Sequence, residues 1–207
     1  MMKDLIKLKP YFNDCIEAGV DEVGRGCFAG SVVAAAVILP KDFDEPLIKD
    51  SKKLSEKQRI KAVEIIKEKA LAYSIAYGTV QEIDKFNILK ATFMTMHRAL
   101  DGLLIRPEHI IIDGDRFDGY GNIPHQCVVK GDANYYSIAA ASILAKVERD
   151  NYMTELSKQF PIYRWSTNKG YGTADHREAL LKNGPCQYHR TTFISNYVQV
   201  KNNNALF

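Results

Sequence analysis

The chain has 207 residues, 46% hydrophobic and 10% aromatic, which fills one globular domain and excludes a disordered chain. No apolar run is long enough to cross a bilayer, and the opening MMKDLIKLKP is too polar for a signal peptide, so a cytoplasmic protein is expected. The net charge of +3 permits a polyanionic partner without requiring one. Cys15, Cys27, Cys127 and Cys186 form no CxxC pair, which argues against a zinc site or a disulfide framework.

In chain order, residues 16–20 read as a first strand ending at Asp21, followed by a glycine-punctuated turn, Glu22-Val23-Gly24-Arg25-Gly26. Residues 31–39 (SVVAAAVIL) form a buried strand stopped by Pro40. Ser55 and Gln58 make a capping box that opens a helix to about Lys69, and residues 71–80 form a third strand. Phe86, Leu89, Phe93, Met96 and Leu100, spaced by three and four, mark one face of an amphipathic helix. Its Met94, Met96 and His97 read as structural. Residues 109–112 are a short strand ending at Asp113, and residues 125–129 another that ends near Asp132. A long helix covers residues 135–160, alanine-rich in its first half, and a shorter one lies around residues 175–181.

Strands first and then strands alternating with helices predict an α/β fold, a mixed sheet flanked by helices. A catalytic core over 1–160 and a basic helical segment over 161–207 are expected.

Asp21 and Asp113 each follow an apolar strand, where ligand sites of α/β sheets form. Glu22 and Asp132 add two further acids. Adjacent strand residues point to opposite faces, so Glu22 joins Asp21 only if the strand has broken into its turn, or through its backbone carbonyl. Converging carboxylates need a counter-ion, and hard oxygen ligands suit Mg²⁺ or Mn²⁺. Two such ions about 4 Å apart can drive an in-line phosphoryl displacement. Taken singly, each Asp reads equally well as turn or cap chemistry.

Asp21-Glu22-Val23-Gly24-Arg25-Gly26 occurs together with Asp50-Ser51-Lys52-Lys53-Leu54-Ser55, Asp84-Lys85-Phe86-Asn87-Ile88-Leu89, Ile112-Asp113-Gly114 and Lys130-Gly131-Asp132. SIAAASILAKV from Ser137, GYGT from Gly170 and HRTTF from His189 follow in order. In these blocks the chain resembles ribonuclease HII from about Glu17 to Phe193. The resemblance implies a ribonuclease H-like core with a C-terminal helical segment that completes a nucleic-acid groove. It implies that Asp21, Glu22, Asp113 and Asp132 hold the catalytic metals, Mn²⁺ or Mg²⁺. It assigns Gly24, Arg25 and Gly26 to reading the junction between a ribonucleotide and the next deoxyribonucleotide, and Tyr171 to the sugar that follows. Lys52, Lys53 and Arg190 are expected at phosphates. RNA/DNA hybrids and DNA containing ribonucleotides are the expected partners, with no membrane, and a monomer suffices. A related junction resolvase, a ribonuclease HIII-type enzyme and a catalytically silent binding module are the alternatives. Phe28 and Ser31 stand where the family often has Leu and Pro, and Gly172 where it often has Pro. Ala205-Leu206-Phe207 at the C-terminus faintly resembles peptides that dock on sliding clamps.

Overall fold

The structure, a computed structural model, describes the backbone of residues 7–203 and the side chains of residues 7–197. The clamp-like tail, Ala205 to Phe207, lies outside the described residues.

The sheet follows from the apolar runs. Its strands are β1 (Glu17–Val23), β2 (Val32–Ile38), β3 (Ala72–Gly78), β4 (His109–Asp113) and β5 (His125–Val128), ordered β3-β2-β1-β4-β5. β2 runs antiparallel to β1 and β3, whereas β4 and β5 run parallel to β1 and to each other, so the sheet is mixed as expected. β2 is apolar throughout because both its faces are covered. Val33, Ala35 and Val37 face one core; Ala34, Ala36 and Ile38 face the other.

The helices are α1 (Glu56–Lys69), α2 (Val80–Phe86), α3 (Ile88–Asp101), α4 (Tyr136–Gln159), α5 (Trp165–Asn168), α6 (Ala174–Asn183) and α7 (Thr191–Asn203). The Ser55 capping box is present at the start of α1. The single helix expected through Phe86 is instead two: Asn87, at φ 68°, breaks the chain and caps α3 by accepting from the Lys90 N–H. Thr79 and Glu82 form a second capping box, which starts α2.

β1 is longer than expected. Asp21, Glu22 and Val23 continue the ladder with β2 opposite Ala35, Ala34 and Val33. The pairing with β4, by contrast, ends at Val20↔Ile112. Three residues of β1 therefore keep a neighbour on one side and lack a strand on the other.

α4 and α1 pack on one face of the sheet, α3 on the other. The alanines at 139–141 let α4 lie close over β1. A Cβ on Gly19 would come within 2.3 Å of the Ser137 carbonyl carbon and 2.5 Å of the Ile138 nitrogen. Beyond the sheet, the end of α4 forms a further core with the C-terminal segment, joining Ala29, Met153 and Leu156 to Tyr163, Trp165, Leu180 and Ile194.

Since the two nearest atoms facing Gly19 are backbone, no side-chain rotation relieves the contact. Gly19→Ala is expected to destabilise the fold by about 1–3 kcal/mol or more, read as a lower denaturant midpoint. An unchanged midpoint would disprove this packing.

Candidate active site

The open edge of β1 is where the acids gather. Asp21 is buried on the α4 face, accepts the Glu22 N–H at 2.7 Å and is hydrogen-bonded by Ser142. Glu22 leaves from the same strand and meets Arg25 at 3.2 Å. The strand has not broken at this point, contrary to the condition set by side-chain alternation. Because the edge is open, Asp21 and Glu22 nevertheless line one cavity of about 310 Å³ with Asp113, Lys52, Lys146 and Tyr171. Asp113, at the end of β4, accepts the Gly131 N–H at 2.7 Å. That bond draws in the 3-10 turn Gly131–Ala133, whose Asp132 is buried beside Lys52 Nζ at 3.7 Å.

The charges oppose one another. Burial, then the charges of Glu22 and Asp113, push the Asp21 carboxyl well above its ordinary range. Glu22 is raised by burial, against the pull of Arg25 and with the push of Asp113. Burial and then Asp132 raise Asp113, against the N–H groups of Gly131 and Asp132. Burial disfavours the Lys52 ammonium, but Asp132, Asp50, Asp21 and Asp113 outweigh it and hold its pKa above the ordinary value. Among the described residues, no three His, Cys, Asp or Glu side chains close into a ready metal cage. The acids meet through charge across the cavity.

The turn that carries Lys52 is fixed from below. Asp50 accepts the Lys52 N–H, Arg59 donates to the carbonyls of Ser51 and Leu54, and Ser51 bonds Ser142, itself a partner of Asp21. Lys53 turns the other way, 3.8 Å from Asp50. Ser142, Lys146 and Arg59 were not singled out in sequence. The available signal was the four-residue spacing of Ser142 and Lys146, which puts both on one face of α4.

The glycine turn is held by two buried arginines. Arg190, expected at a phosphate, is 0% exposed and donates to the carbonyls of Gly30 and Arg25. Each of its three nitrogens donates to a carbonyl of the turn, so the buried guanidinium faces the backbone and not the solvent side. Arg149, also 0% exposed, donates to Ser31, Lys169 and Ala29 carbonyls. Gly24, at φ +102°, lies directly on it: a Cβ there would meet Arg149 Nε at 2.1 Å. A Cβ on Gly26 would meet nothing within 4 Å.

Tyr171 lines the cavity, is 42% exposed and forms an isolated antiparallel bridge with Cys27, in the loop that carries the glycine turn. Its carbonyl is bonded by His176 Nδ1 at 2.9 Å, and His176 Nε2 faces both Trp165 Nε1 and His189 Nε2 at 3.1 Å. Burial, then His176, lower the His189 pKa to about 4, which keeps this buried chain neutral.

Two departures from the family pattern touch. A Cβ on Gly172 would fall 2.5 Å from the Phe28 ring. The larger Phe28 thus requires the missing side chain at 172.

A mixed sheet with carboxylates at the open edge of its first strand, beside a long helix, defines a ribonuclease H-like nuclease. The family model described as Ribonuclease HII matches residues 18–196, and the chain belongs to the ribonuclease HII family. It is a ribonuclease H endonuclease. The Ribonuclease HII of Bacteroides thetaiotaomicron is 57% identical over 187 residues, 90% of this chain and 94% of that protein. Among solved structures, the ribonuclease H2 of Pyrococcus horikoshii OT3 superposes with TM-score 0.75 at 25% identity, over 89% of this chain and 97% of that one. The Archaeoglobus fulgidus ribonuclease HII, solved as a PCNA:RNase HII complex, gives 0.69 at 25%, over 87% and 96%. Bst-RNase HIII in complex with Mn²⁺ shares the fold, with TM-score 0.73 at 20% identity over 89% and 69%.

The Phe28–Gly172 contact sets up a double-mutant cycle. Gly172→Pro alone is expected to lower stability by about 1–3 kcal/mol, and Phe28→Leu in the same chain to recover most of it. Simple additivity in thermal melts would show that the two positions are not coupled.

Proposed function

We propose that this ribonuclease H is divalent-metal-dependent and cuts the phosphodiester 5′ of ribonucleotides, in RNA/DNA hybrids and at single ribonucleotides embedded in duplex DNA. The products are a 3′-OH and a 5′-phosphate, and the role is removal of ribonucleotides from DNA. The observation that carries this reading is the convergence of buried Asp21 with the partly buried Glu22 and Asp113 around one cavity, where their charges oppose one another, beside a glycine turn with open space in front of Gly26.

An all-carboxylate donor set of this kind fits a hard divalent cation. Asp21, Glu22, Asp113 and Asp132 would hold Mg²⁺ or Mn²⁺, which when bound activates water and stabilises the leaving oxygen. The relative solved with Mn²⁺ supports that choice of ion. The chain's own groups do the rest. Lys52, beside Asp132, offers its ammonium to the phosphate at this site, and Lys53 to one farther along. Backbone groups of Gly24, Arg25 and Gly26 read the 2′-OH, which both donates and accepts and distinguishes RNA from DNA. Tyr171 packs against the next sugar. Arg149 and Arg190 hold the turn still while it does so.

The protein acts as a monomer in the cytoplasm. Among the described residues no helix is long and apolar enough to cross a membrane. The Archaeoglobus fulgidus relative in complex with PCNA supports a clamp contact; if the tail at 205–207 makes it, deleting that tail weakens clamp binding.

The deciding experiment is cleavage of an end-labelled DNA duplex carrying one ribonucleotide, in Mg²⁺, Mn²⁺ and EDTA. A single metal-dependent cut 5′ of the ribonucleotide is expected, nearly abolished in Asp113→Asn while substrate binding persists. Full activity of that variant removes Asp113 from the mechanism.

Gly26→Ala isolates recognition from folding, because the new methyl meets no protein atom. Its melting temperature should match the native chain while cleavage of the single-ribonucleotide substrate falls about tenfold, the scale of one lost hydrogen bond. Equal cleavage would mean that the Gly26 backbone does not approach the sugar.

A further inference from the structure

A groove of about 790 Å³ adjoins the acid cluster at two turns. The first is the 3-10 turn Ser51–Lys53: Ser51 and Lys52 face the acids, whereas Asp50 and Lys53 line the groove. The second is the Gly131–Ala133 turn. Its Asp132 pairs with Lys52, while Lys130 and Ala133 face the groove. Leu8, Pro46, Ile48 and Tyr136 give the groove an apolar lining.

Its charge is one-sided. Lys7, Lys49, Lys53 and Lys130 stand against Asp44 and Asp50. Lys7 pairs with Asp44 and Lys53 approaches Asp50. Lys49 and Lys130 have no carboxylate within ion-pair distance among the described residues. Two uncompensated ammonium groups on the rim of an apolar trough match a phosphodiester strand, whose phosphates meet lysines while its sugars cover apolar surface.

The strand's direction follows from how the two flanks join the acids. The glycine turn, which takes the ribonucleotide, is tied to them through Arg25 and Glu22. The lysine-bearing turn is tied to them through Lys52 and Asp132. A strand passing over the acids enters on one flank and leaves on the other. We propose that this groove seats the nucleotides 5′ of the scissile phosphate, with Lys49 and Lys130 as their phosphate contacts. The inference rests on the cleavage reading above for the polarity of the strand.

The test is binding in EDTA, so that no turnover is needed. Fluorescence anisotropy would compare duplexes with one ribonucleotide, a fixed downstream arm, and an upstream arm of about 3 or about 12 nucleotides. The native chain should gain about tenfold in affinity from the longer upstream arm. Lys49→Glu/Lys130→Asn should lose most of that gain, with a salt slope reduced by about one per lysine. Asn is chosen because residue 130 sits at φ 57°, which Asn tolerates. Lengthening the downstream arm should affect both proteins alike. Lys49→Glu alone, at an ordinary backbone position, should remove part of the upstream gain even if the double variant folds poorly. An upstream-arm gain equal in native and variant chains overturns the proposal and would favour another occupant, such as an acidic peptide. A native chain that shows the arm effect yet makes no cut in the cleavage assay overturns the cleavage reading alone.

Discussion

β1 runs three residues past its pairing with β4. Val20 is the last β1 residue with a β4 partner, and Asp21, Glu22 and Val23 continue only against β2. On that exposed side the backbone has no strand, and the space is taken by side chains from β4, the Gly131–Ala133 turn and the Ser51–Lys53 turn. Asp21, Glu22 and Asp113, brought together this way, lose solvent and repel one another, so these three are held above their ordinary pKa. Lys52 and Arg25 answer only part of that charge. The remainder is negative charge that the proposed divalent cation would answer, and it follows from where the β1–β4 pairing ends.

The glycine turn is held by different means. Residues 24–31 form no regular ladder with the sheet, so their carbonyls need partners. Arg149 and Arg190 supply them, each satisfying several carbonyls with one guanidinium fork. Neither arginine is hydrogen-bonded to a carboxylate, and burial lowers the Arg190 pKa to about 10. Asp84 holds the start of α7 through the N–H groups of Thr191 and Thr192, next to Arg190 in sequence. Glycine turn, α2 and C-terminal segment therefore form one hydrogen-bonded body, which explains why motifs so distant in sequence belong together.

Much of this was legible in the residues. Apolar runs located the strands, and Ser55 with Gln58 located α1, because both signals are local. The Thr79–Glu82 box carried the same signal for α2. It was masked by the apolar spacing from Phe86 to Leu100, which continues in phase across a backbone break that Asn87 makes with a positive φ. The end of β1 was misplaced for a related reason. Hydrophobicity stops at Asp21, but ladder pairing depends on backbone groups and on the apolar partners Val33 to Ala35, not on the polarity of the residue being paired.

By itself, the sequence determined the mixed α/β class and, through the order of its motif blocks, the family, since both depend on residue type and order along the chain. Tertiary structure alone decided what those residues face. It buried Arg190 under the turn instead of presenting it to phosphate, set Phe28 against Gly172, and divided Lys52 from Lys53 between two cavities. Side-chain direction and burial are set by non-local packing, and a one-dimensional pattern carries no record of which distant backbone will need a donor.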